Sequence, residues 1–318
     1  MSAERRKWCL LTACDEGFAD ISSISVPTME RYAETYGMDF DWVQKTPKDR
    51  SPHWQKIYSA QEKFEAGYEF VFWVDADAMF LRYDIDIRSQ IDDRHDFYFA
   101  REEHIRREWG VERLNSGVWV MRNTPLTRKF LAEVALQPDM QGPNWHDQAA
   151  IMVVFGFLSM IDDGLNRADR PVSEYTTRLR MLPLRWNCIA GNDTDPRTVI
   201  RHFAGHDRIT KRLGMELEVQ LQRLRDEYQL TDETAEDLRF RIYKGYWNHK
   251  HGWDPEGSLK ELTERQTRLD TVHRALKNEH DELLRKVGSR SWLLRTWWRT
   301  TRSKLYGASH GDGSANRH

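Results

Sequence analysis

The sequence lacks three features that would each have assigned the chain to a class of protein. No stretch approaches the roughly 20 consecutive apolar residues that a membrane-spanning helix needs. The three cysteines, Cys9, Cys14 and Cys188, are odd in number and have no metal-type spacing, which favours reduced thiols over a disulfide or zinc framework. The formal net charge is only −2, so we expect no general nucleic-acid-binding surface.

The beginning of the chain also lacks the pattern of a secretory signal. Residues 1–7 are charged and lead straight into the apolar run Trp8–Ala13. A signal would instead show a longer apolar stretch followed by a small-residue cleavage site. Together with the reduced thiols, this predicts a cytoplasmic protein without a membrane anchor.

The first 255 residues alternate between strand and helix signals. The apolar runs Trp8–Ala13 and Phe70–Val74 predict strands that are buried on both faces. Such alternation is typical of an α/β domain with a largely parallel sheet, which we place at residues 1–255. Further strands are expected at 97–100 and 118–121, and helices at 53–66, 125–136 and 145–155.

A leucine repeat follows this domain. Leu262, Leu269, Leu276 and Leu283 recur every seven residues among charged side chains, which predicts a coiled-coil helix over residues 256–288. Three of the five partner positions are polar, so the seam is weak. The helix would therefore either form a homodimer through residues 259–287 or lie on the main domain.

The last part of the chain is basic and aromatic. Residues 289–306 contain five basic residues and no acid, and Trp292, Trp297 and Trp298 lie among them. Aromatic side chains mixed with arginines suit the surface of an anionic membrane, which residues 291–306 would contact. The alternative is a terminal helix that docks on the acidic body of the protein. Residues 307–318 are small and polar, and we expect them to be disordered.

Two carboxylates follow the most apolar strand without a break. Asp75 and Asp77 come directly after Phe70–Val74, and ligand sites of α/β sheets form at the carboxyl ends of strands. Side chains two apart on an extended chain point the same way, so the two charges repel unless a cation neutralises them. Oxygen ligands at a phosphate site favour Mg²⁺ or Mn²⁺. The alternative is a pair of solvated aspartates at the start of a loop.

Four further motifs occur in a fixed order around this pair: Trp54-Gln55-Lys56, Leu114-Asn115-Ser116-Gly117, His146-Asp147-Gln148 and Arg201-His202-Phe203-Ala204-Gly205. The ordered set resembles the retaining GT-A glycosyltransferases, over about residues 7–211. It is most similar to the α-galactosyl and α-xylosyl transferase family of yeast mannan galactosyltransferases and plant xyloglucan xylosyltransferases, and it shares features with the glycogenin-like family. The resemblance implies a Rossmann-like, nucleotide-sugar-binding GT-A domain followed by the helical extension.

By this resemblance, Asp75, Asp77 and His202 would bind Mn²⁺ (or Mg²⁺) and, through it, the diphosphate of a nucleotide sugar, expected to be linked to UDP. Asp75 would also lie near the ribose or the sugar of the donor. Thr12 and Ala13 occupy the position that usually binds the nucleotide base. The alternative for His202 is a buried histidine with its hydrogen bonds satisfied.

The resemblance also implies how the phosphates are bound. Gly205 would let the backbone approach them. The basic residue that follows this glycine in the family corresponds to Arg208, with Lys211 as the alternative, so the usual lysine is displaced or replaced. Lys56 is a further phosphate candidate, although a lysine on a helix is more often simply solvated.

The remaining motifs match the sugar pocket of the family. Asn115 and Gly117 correspond to the stretch that lines the pocket, and Asp147 and Gln148 to the pair beside the anomeric carbon. Asn115 could instead belong to a turn, and the acidic pair could simply favour a helix start. Gln148 would act either as a transient nucleophile or as an electrostatic aid.

The expected activity is metal-dependent transfer of a hexose or pentose, with retention of configuration, to a hydroxyl of a glycan or glycolipid, at the inner membrane face if residues 291–306 bind lipid. A rival is a Mg²⁺-dependent phosphatase of the haloacid-dehalogenase kind, which also places Asp-x-Asp after a strand. That family continues with threonine or valine where this chain has Met79. The non-enzymatic alternative is a scaffold of the same fold that assembles other proteins.

Overall fold

A computed structural model describes residues 7–102, 113–139, 146–157, 173–190, 195 and 197–239, and every structural statement below concerns these residues. The predicted coiled coil of residues 256–288, the basic segment 289–306 and the tail 307–318 lie outside them. None of the described helices is both long and apolar enough to cross a bilayer.

The described part of the chain contains strands β1 (Trp8–Ala13), β2 (Asp39–Val43), β3 (Phe70–Val74), β4 (Ala78–Phe80), β5 (Phe97–Glu102), β6 (Arg113–Arg122), β7 (Leu179–Leu182), β8 (Cys188–Ile189) and β9 (Ile200–His202). Its main helices are α1 (Ala19–Tyr36), α2 (Gln55–Glu65), α3 (Pro125–Leu136), α4 (His146–Phe155) and α5 (Arg208–Tyr228). Residues 232–239 are also helical.

Six strands form the main sheet, in the order β2-β1-β3-β6-β5-β7. Strand β1 is parallel to β2 and β3, and β5 is parallel to β7, but β6 runs antiparallel to both of its neighbours. The α/β class is confirmed, whereas the expectation of a largely parallel sheet is wrong, because the sheet is mixed. Only residues 103–112 separate β5 from β6, fewer than the dozen or more that a parallel crossover requires.

Strand β3 lies at the centre of the sheet because every one of its side chains is apolar. Val71 and Trp73 belong to the core cluster that includes side chains of α2, α3 and α4. Phe70, Phe72 and Val74 point to the other face, into the cluster that contains residues of α1. Alternate side chains of β3 thus pack into the hydrophobic clusters on the two faces of the sheet. The strand ends between these clusters, and Asp75 follows it.

A second, three-stranded sheet in the order β4-β9-β8 positions the candidate site. Strands β4 and β9 are antiparallel, and Ala78 is paired with His202. The backbone N–H of Phe203 donates to the carbonyl of Asp77 at 2.9 Å, which extends this pairing by one step. His202 is therefore held beside the acidic pair although 125 positions separate it from Asp77.

Candidate active site

The acidic pair and His202 converge at the carboxyl end of β3. The N–H of Ala78 donates to the carbonyl of Asp75 at 2.9 Å, so the chain turns tightly there and keeps both aspartates at the sheet edge. The N–H of Asp75 is bound by the carbonyl of Gly117 in β6 at 2.8 Å. One ligand atom each from Asp75, Asp77 and His202 lies within 4.8 Å of the others, which is compact enough for a single metal ion.

The hydrogen bonds of His202 indicate a cation site. Its Nδ1 lies 2.8 Å from Oδ1 of Asn187, a fully buried amide, and therefore donates to that oxygen. Its Nε2 lies 3.1 Å from Oδ1 of Asp77 and 3.9 Å from Oδ2 of Asp75. A nitrogen of an imidazole beside two carboxylate oxygens is a ligand set that a divalent cation can bind. The three side chains therefore fit a divalent metal, and a mixed oxygen and nitrogen set fits Mn²⁺ better than Mg²⁺.

Lys211, in the first turn of α5, lies on the other oxygen of Asp77. Its Nζ is 2.7 Å from Oδ2, and Asp77 is only 13% exposed. Burial alone would raise the pKa of the Asp77 carboxyl, but Lys211 and His202 outweigh it and hold that pKa well below its usual range. Asp77 is thus ionised at neutral pH and available as a ligand.

Lys56 connects the acidic pair to the motif on α4. Its buried ammonium lies 3.0 Å from Oδ1 of Asp75 and 3.0 Å from Oδ2 of Asp147. Burial alone would lower the pKa of Lys56, but these two carboxylates outweigh it and raise that pKa above its usual value. Lys56 is therefore charged at neutral pH, and because it is buried it is not the solvated helix lysine of the alternative expectation.

Ser116 positions the two polar side chains at the start of α4. Its hydroxyl donates to Oδ2 of Asp147 at 2.9 Å, and its backbone N–H donates to Oε1 of Gln148 at 2.9 Å. Asn115 lies within β6 rather than in a turn, and its Oδ1 accepts the N–H of Gly117 at 2.8 Å. The pairing of β5 with β6 shifts register next to Asn115, and such irregularities in a strand often occur beside active sites.

Gly117 leaves the space that His202 occupies. A Cβ at this position would lie 2.2 Å from Cε1 of His202, a distance that real atoms do not tolerate. The glycine of the Asn-Ser-Gly stretch is therefore required for the approach of the imidazole to the acidic pair.

The remaining predicted site residues are Gly205, Thr12, Ala13 and Arg208. Gly205 has a φ of +72°, in the left-handed region, and the space beside its α-carbon is open. Thr12 is buried at the end of β1, where its Oγ1 has no partner among the described residues, and Ala13 next to it is half-buried. Arg208 lies apart from the acidic pair, because it is 57% exposed and pairs with Asp20 at 2.7 Å.

Three further side chains contact the site without having been identified from the sequence. They are Trp73, whose Nε1 donates to Oδ1 of Asp75 at 2.6 Å, together with Ser116 and Asn187. Ser116 lies in the Leu114–Gly117 motif and Trp73 in the apolar strand, so both belong to segments that the sequence had already singled out. Asn187 had no signal, since only the folding of β8 beside β9 brings it to His202.

The sequence of this region matches a known family. Residues 9–159, a little under half of the chain, match the family model described as nucleotide-diphospho-sugar transferase. This segment includes Asp75, Asp77, Asn115, Asp147 and Gln148, and it ends before His202. This segment is therefore similar to nucleotide-diphospho-sugar transferases. No curated protein sequence matches the chain significantly.

Solved structures of glycosyltransferases are also similar. A glycosyltransferase involved in the glycosylation of the major capsid of PBCV-1 is 17% identical, over 66% of this chain and 99% of its own, with a TM-score of 0.49. The apo form of the glycosyltransferase GlyE of Streptococcus pneumoniae TIGR4 is 12% identical, over 75% of this chain and 64% of its own, with a TM-score of 0.45. The galactosyltransferase LgtC, in complex with donor and acceptor sugar analogs, is 14% identical, over 67% and 95%, with a TM-score of 0.40.

Proposed function

We propose that this protein is a metal-dependent, retaining glycosyltransferase of the GT-A type, which moves a hexose or pentose from a UDP-sugar to a hydroxyl of a glycan or glycolipid. The observation that carries the proposal is the convergence of Asp75, Asp77 and His202, with Nε2 of His202 facing two carboxylates. The family match over residues 9–159 supports the nucleotide-sugar donor.

Cleavage of the bond between sugar and diphosphate creates opposite charges at two places. A Mn²⁺ ion held by Asp75, Asp77 and His202 would supply Lewis-acid stabilisation of the leaving diphosphate. Lys211, in contact with Asp77, would add a positive charge on the same side. On the sugar side, the carboxylate of Asp147 and the amide of Gln148 would stabilise the positive character of the ring, with Asn115 lining the pocket.

Retention of configuration follows if the acceptor hydroxyl attacks from the face that the diphosphate leaves. The leaving phosphate would then accept the proton of that hydroxyl, so no separate general base is needed. In the proposed complex, Thr12 and Ala13 contact the nucleotide base, and Gly205 allows the backbone to approach the phosphates.

Donor hydrolysis tests the proposal without knowledge of the acceptor. The full-length protein is incubated with Mn²⁺ and a panel of UDP-sugars, and released UDP is measured. Slow release that is lost on chelation and in Asp75→Asn supports the transferase, with Asp20→Asn as a matched control at the surface. Phosphate release from p-nitrophenyl phosphate would support the phosphatase instead, and inactivity with every donor would support the scaffold.

The acceptor side of the proposal includes the basic segment 291–306. We propose that it brings the enzyme to an anionic membrane surface that carries a glycolipid acceptor. Flotation with phosphatidylglycerol vesicles compares the full-length chain with a variant in which Arg295, Arg299 and Arg302 are glutamine. Equal recovery of the two proteins would contradict membrane binding by this segment.

A further inference from the structure

Two histidines that the proposed mechanism does not use lie beside Lys56 and Asp147. The imidazoles of His53 and His146 are stacked, with ring centroids 5.0 Å apart and planes inclined by 14°. His53 comes three residues before Lys56. His146 is the first residue of α4 and directly precedes Asp147. The stack therefore joins the starts of α2 and α4 next to the ion pair of Lys56 with Asp147, whose charged atoms are 3.0 Å apart.

A buried carboxylate holds His146, the less exposed of the two rings. Nδ1 of His146 lies 2.7 Å from Oδ1 of Asp139, and the backbone N–H of Ser51 donates to Oδ2 of the same carboxylate at 3.0 Å. Burial alone would raise the pKa of Asp139, but its hydrogen bonds, among them those from Ser51 and His146, outweigh it and lower that pKa to about 2. An ionised carboxylate can only accept, so His146 donates to it. His146 is thus fixed at its edge by Asp139 and on its face by His53.

His53 lies in the electric field of the sugar side of the candidate site. It remains accessible to solvent, but the protein around it desolvates the imidazole and lowers its pKa below the ordinary value. Of the charged groups that act on it, Asp147 has the largest effect and opposes this shift, as does Asp75. Lys56 and His146 lower the pKa of His53 further. His53 is therefore mostly neutral at pH 7 and close enough to Asp147 to attract it when charged.

A proton on His53 would change the partners of Asp147. While His53 is neutral, Asp147 is bound by the ammonium of Lys56 at 3.0 Å and by the hydroxyl of Ser116 at 2.9 Å. A charged imidazole adds a second cation near this buried carboxylate, where water screens the attraction poorly. It also repels Lys56 and the stacked His146, and a shift of Asp147 towards His53 relieves both repulsions.

We propose that the stacked pair of His53 and His146 positions Asp147 for the transfer, and that a proton on His53 withdraws Asp147 from Lys56 and so stops the reaction in acid. Both histidines are positioning residues, because they act through Asp147. The proposal rests on the proposed function, in which Asp147 stabilises the positive character of the sugar ring. Activity is then present above the pKa of His53 and is lost as the pH falls through it.

The pH dependence of UDP-sugar hydrolysis tests the proposal in the full-length protein. The kcat is measured from about pH 5 to about pH 8 at saturating Mn²⁺, with the UDP-sugar of the panel that is hydrolysed fastest. For the unmodified protein we expect kcat to fall about tenfold per pH unit below the pKa of His53. His53→Phe keeps a flat ring on the stack but takes up no proton, so this acid limb should disappear. His95→Phe removes a histidine at the opposite end of the sheet and should leave the limb in place.

Loss of the stack separates positioning from donor binding. His53→Ala should lower kcat by about 10- to 100-fold, because Asp147 is misplaced, while the KM for the donor stays within about twofold. His53→Phe should recover most of this loss at about pH 8, because the flat ring is restored. An acid limb retained in His53→Phe, or a kcat of His53→Ala equal to that of the unmodified protein, would overturn the proposal and leave the transferase proposal intact.

The pair can also be tested without a donor, by NMR of the protein with ¹³C-labelled histidine. The signal of His53 is assigned by its loss in His53→Phe, and its pKa is compared between the unmodified protein and two variants. His146→Phe keeps a stacked ring, and His146→Asn keeps a donor for Asp139. Both remove a charge beside His53, so each should raise its pKa.

The two measurements fail in different ways. An unchanged pKa of His53 in both His146 variants would overturn the coupling of the two rings, even if UDP-sugars are hydrolysed normally. If the unmodified protein hydrolyses no UDP-sugar, the proposed function fails and the role in transfer with it, and the NMR titration then decides about the coupling of the rings alone.

Discussion

Two charged clusters lie on opposite sides of strand β9, and they differ in how completely their charges are matched. His202 points to Asp75 and Asp77, whereas its neighbour Arg201 contacts Glu218 of α5 and Glu236 in the helical residues 232–239. Consecutive residues of a strand face opposite ways, so one short strand serves both clusters.

The cluster around Arg201 is closed. Arg201 lies 3.1 Å from Glu236, and Nε of Arg239 contacts both oxygens of Glu218 at 2.8 Å. All four side chains are buried, and among the described residues two guanidinium groups face two carboxylates. We infer that this network specifies one arrangement of its helices more than it adds net stability.

The cluster around His202 is open by comparison. Nε2 of its imidazole faces carboxylate oxygens of Asp75 and Asp77, and Asp75 remains 26% exposed. The closed cluster contains paired charges between helices, whereas the open cluster has the solvent-accessible carboxylate that the proposed metal site requires. Because Glu218 lies two helical turns after Lys211 on α5, the closed cluster also fixes the lysine of the open one.

Glu218→Gln should produce the largest loss of stability. Among the described residues it leaves Arg201 and Arg239 with Glu236 as their carboxylate partner, and breaking a buried network of this kind costs about 3–5 kcal/mol. Urea unfolding followed by circular dichroism measures this loss, and Glu62→Gln, at an exposed ion pair with Lys45, is the matched control. Equal unfolding midpoints for the two variants would mean that the closed cluster has no positioning role.

Asp77→Asn should lower the activity strongly and the stability only slightly, which is the opposite of Glu218→Gln. Removing a charged ligand is expected to lower UDP-sugar hydrolysis at least about 10²-fold, because stabilisation of the leaving diphosphate is lost. The stability loss should be smaller than that of Glu218→Gln, since Asp77 is partly open to solvent. Initial rates and urea midpoints are measured on the same preparations. If Asp77→Asn retains full activity but unfolds at a lower urea concentration, Asp77 has a structural role and is not a metal ligand.

The fold could be predicted wherever local pattern decides the structure. The predicted strand Phe70–Val74 and helix 125–136 have the observed bounds, because an all-apolar run and an amphipathic period need no distant partner to be recognised. The short strands β4, β8 and β9 were missed, since two or three residues carry no period. The antiparallel direction of β6 was missed because apolar runs do not encode strand direction.

The site was predictable to the extent that its residues are adjacent in the chain. Asp75 and Asp77 follow an apolar strand and could be found directly, whereas His202 was found only through the resemblance. The sequence did not decide whether Arg208 or Lys211 is the basic residue beside the acidic pair, because that depends on the direction of α5 relative to β9. In the structure, Lys211 contacts Asp77 and Arg208 contacts Asp20 instead.

Asn187→Ala should weaken metal binding while leaving all three predicted ligands in place. Asn187 holds the Nδ1 hydrogen of His202 and so directs Nε2 towards the aspartates. Loss of such an outer partner typically lowers metal affinity by about 10- to 100-fold. Mn²⁺ titration in the presence of UDP measures the effect, and an affinity within twofold of the unmodified protein would show that His202 is oriented without the amide.

Two glycines allow a closely matched comparison in which each substitution adds one methyl group beside an aromatic ring. A Cβ on Gly117 would lie 2.2 Å from the ring of His202, and a Cβ on Gly214 of α5 would lie 2.3 Å from the ring of Phe203, the next residue. Overpacking of this kind typically costs about 1–3 kcal/mol, so Gly117→Ala and Gly214→Ala should lower the urea midpoint by similar amounts.

Only Gly117→Ala should also weaken Mn²⁺ binding with UDP, because it displaces the ligand ring itself. Phe203 belongs instead to the apolar cluster that contains Met215 and Ile21. If Gly214→Ala weakens Mn²⁺ binding as strongly, strand β9 shifts as a whole and its two faces are coupled rigidly. If neither variant does, the imidazole is not a ligand, because a ring forced from its place beside Asp77 could not keep the ion.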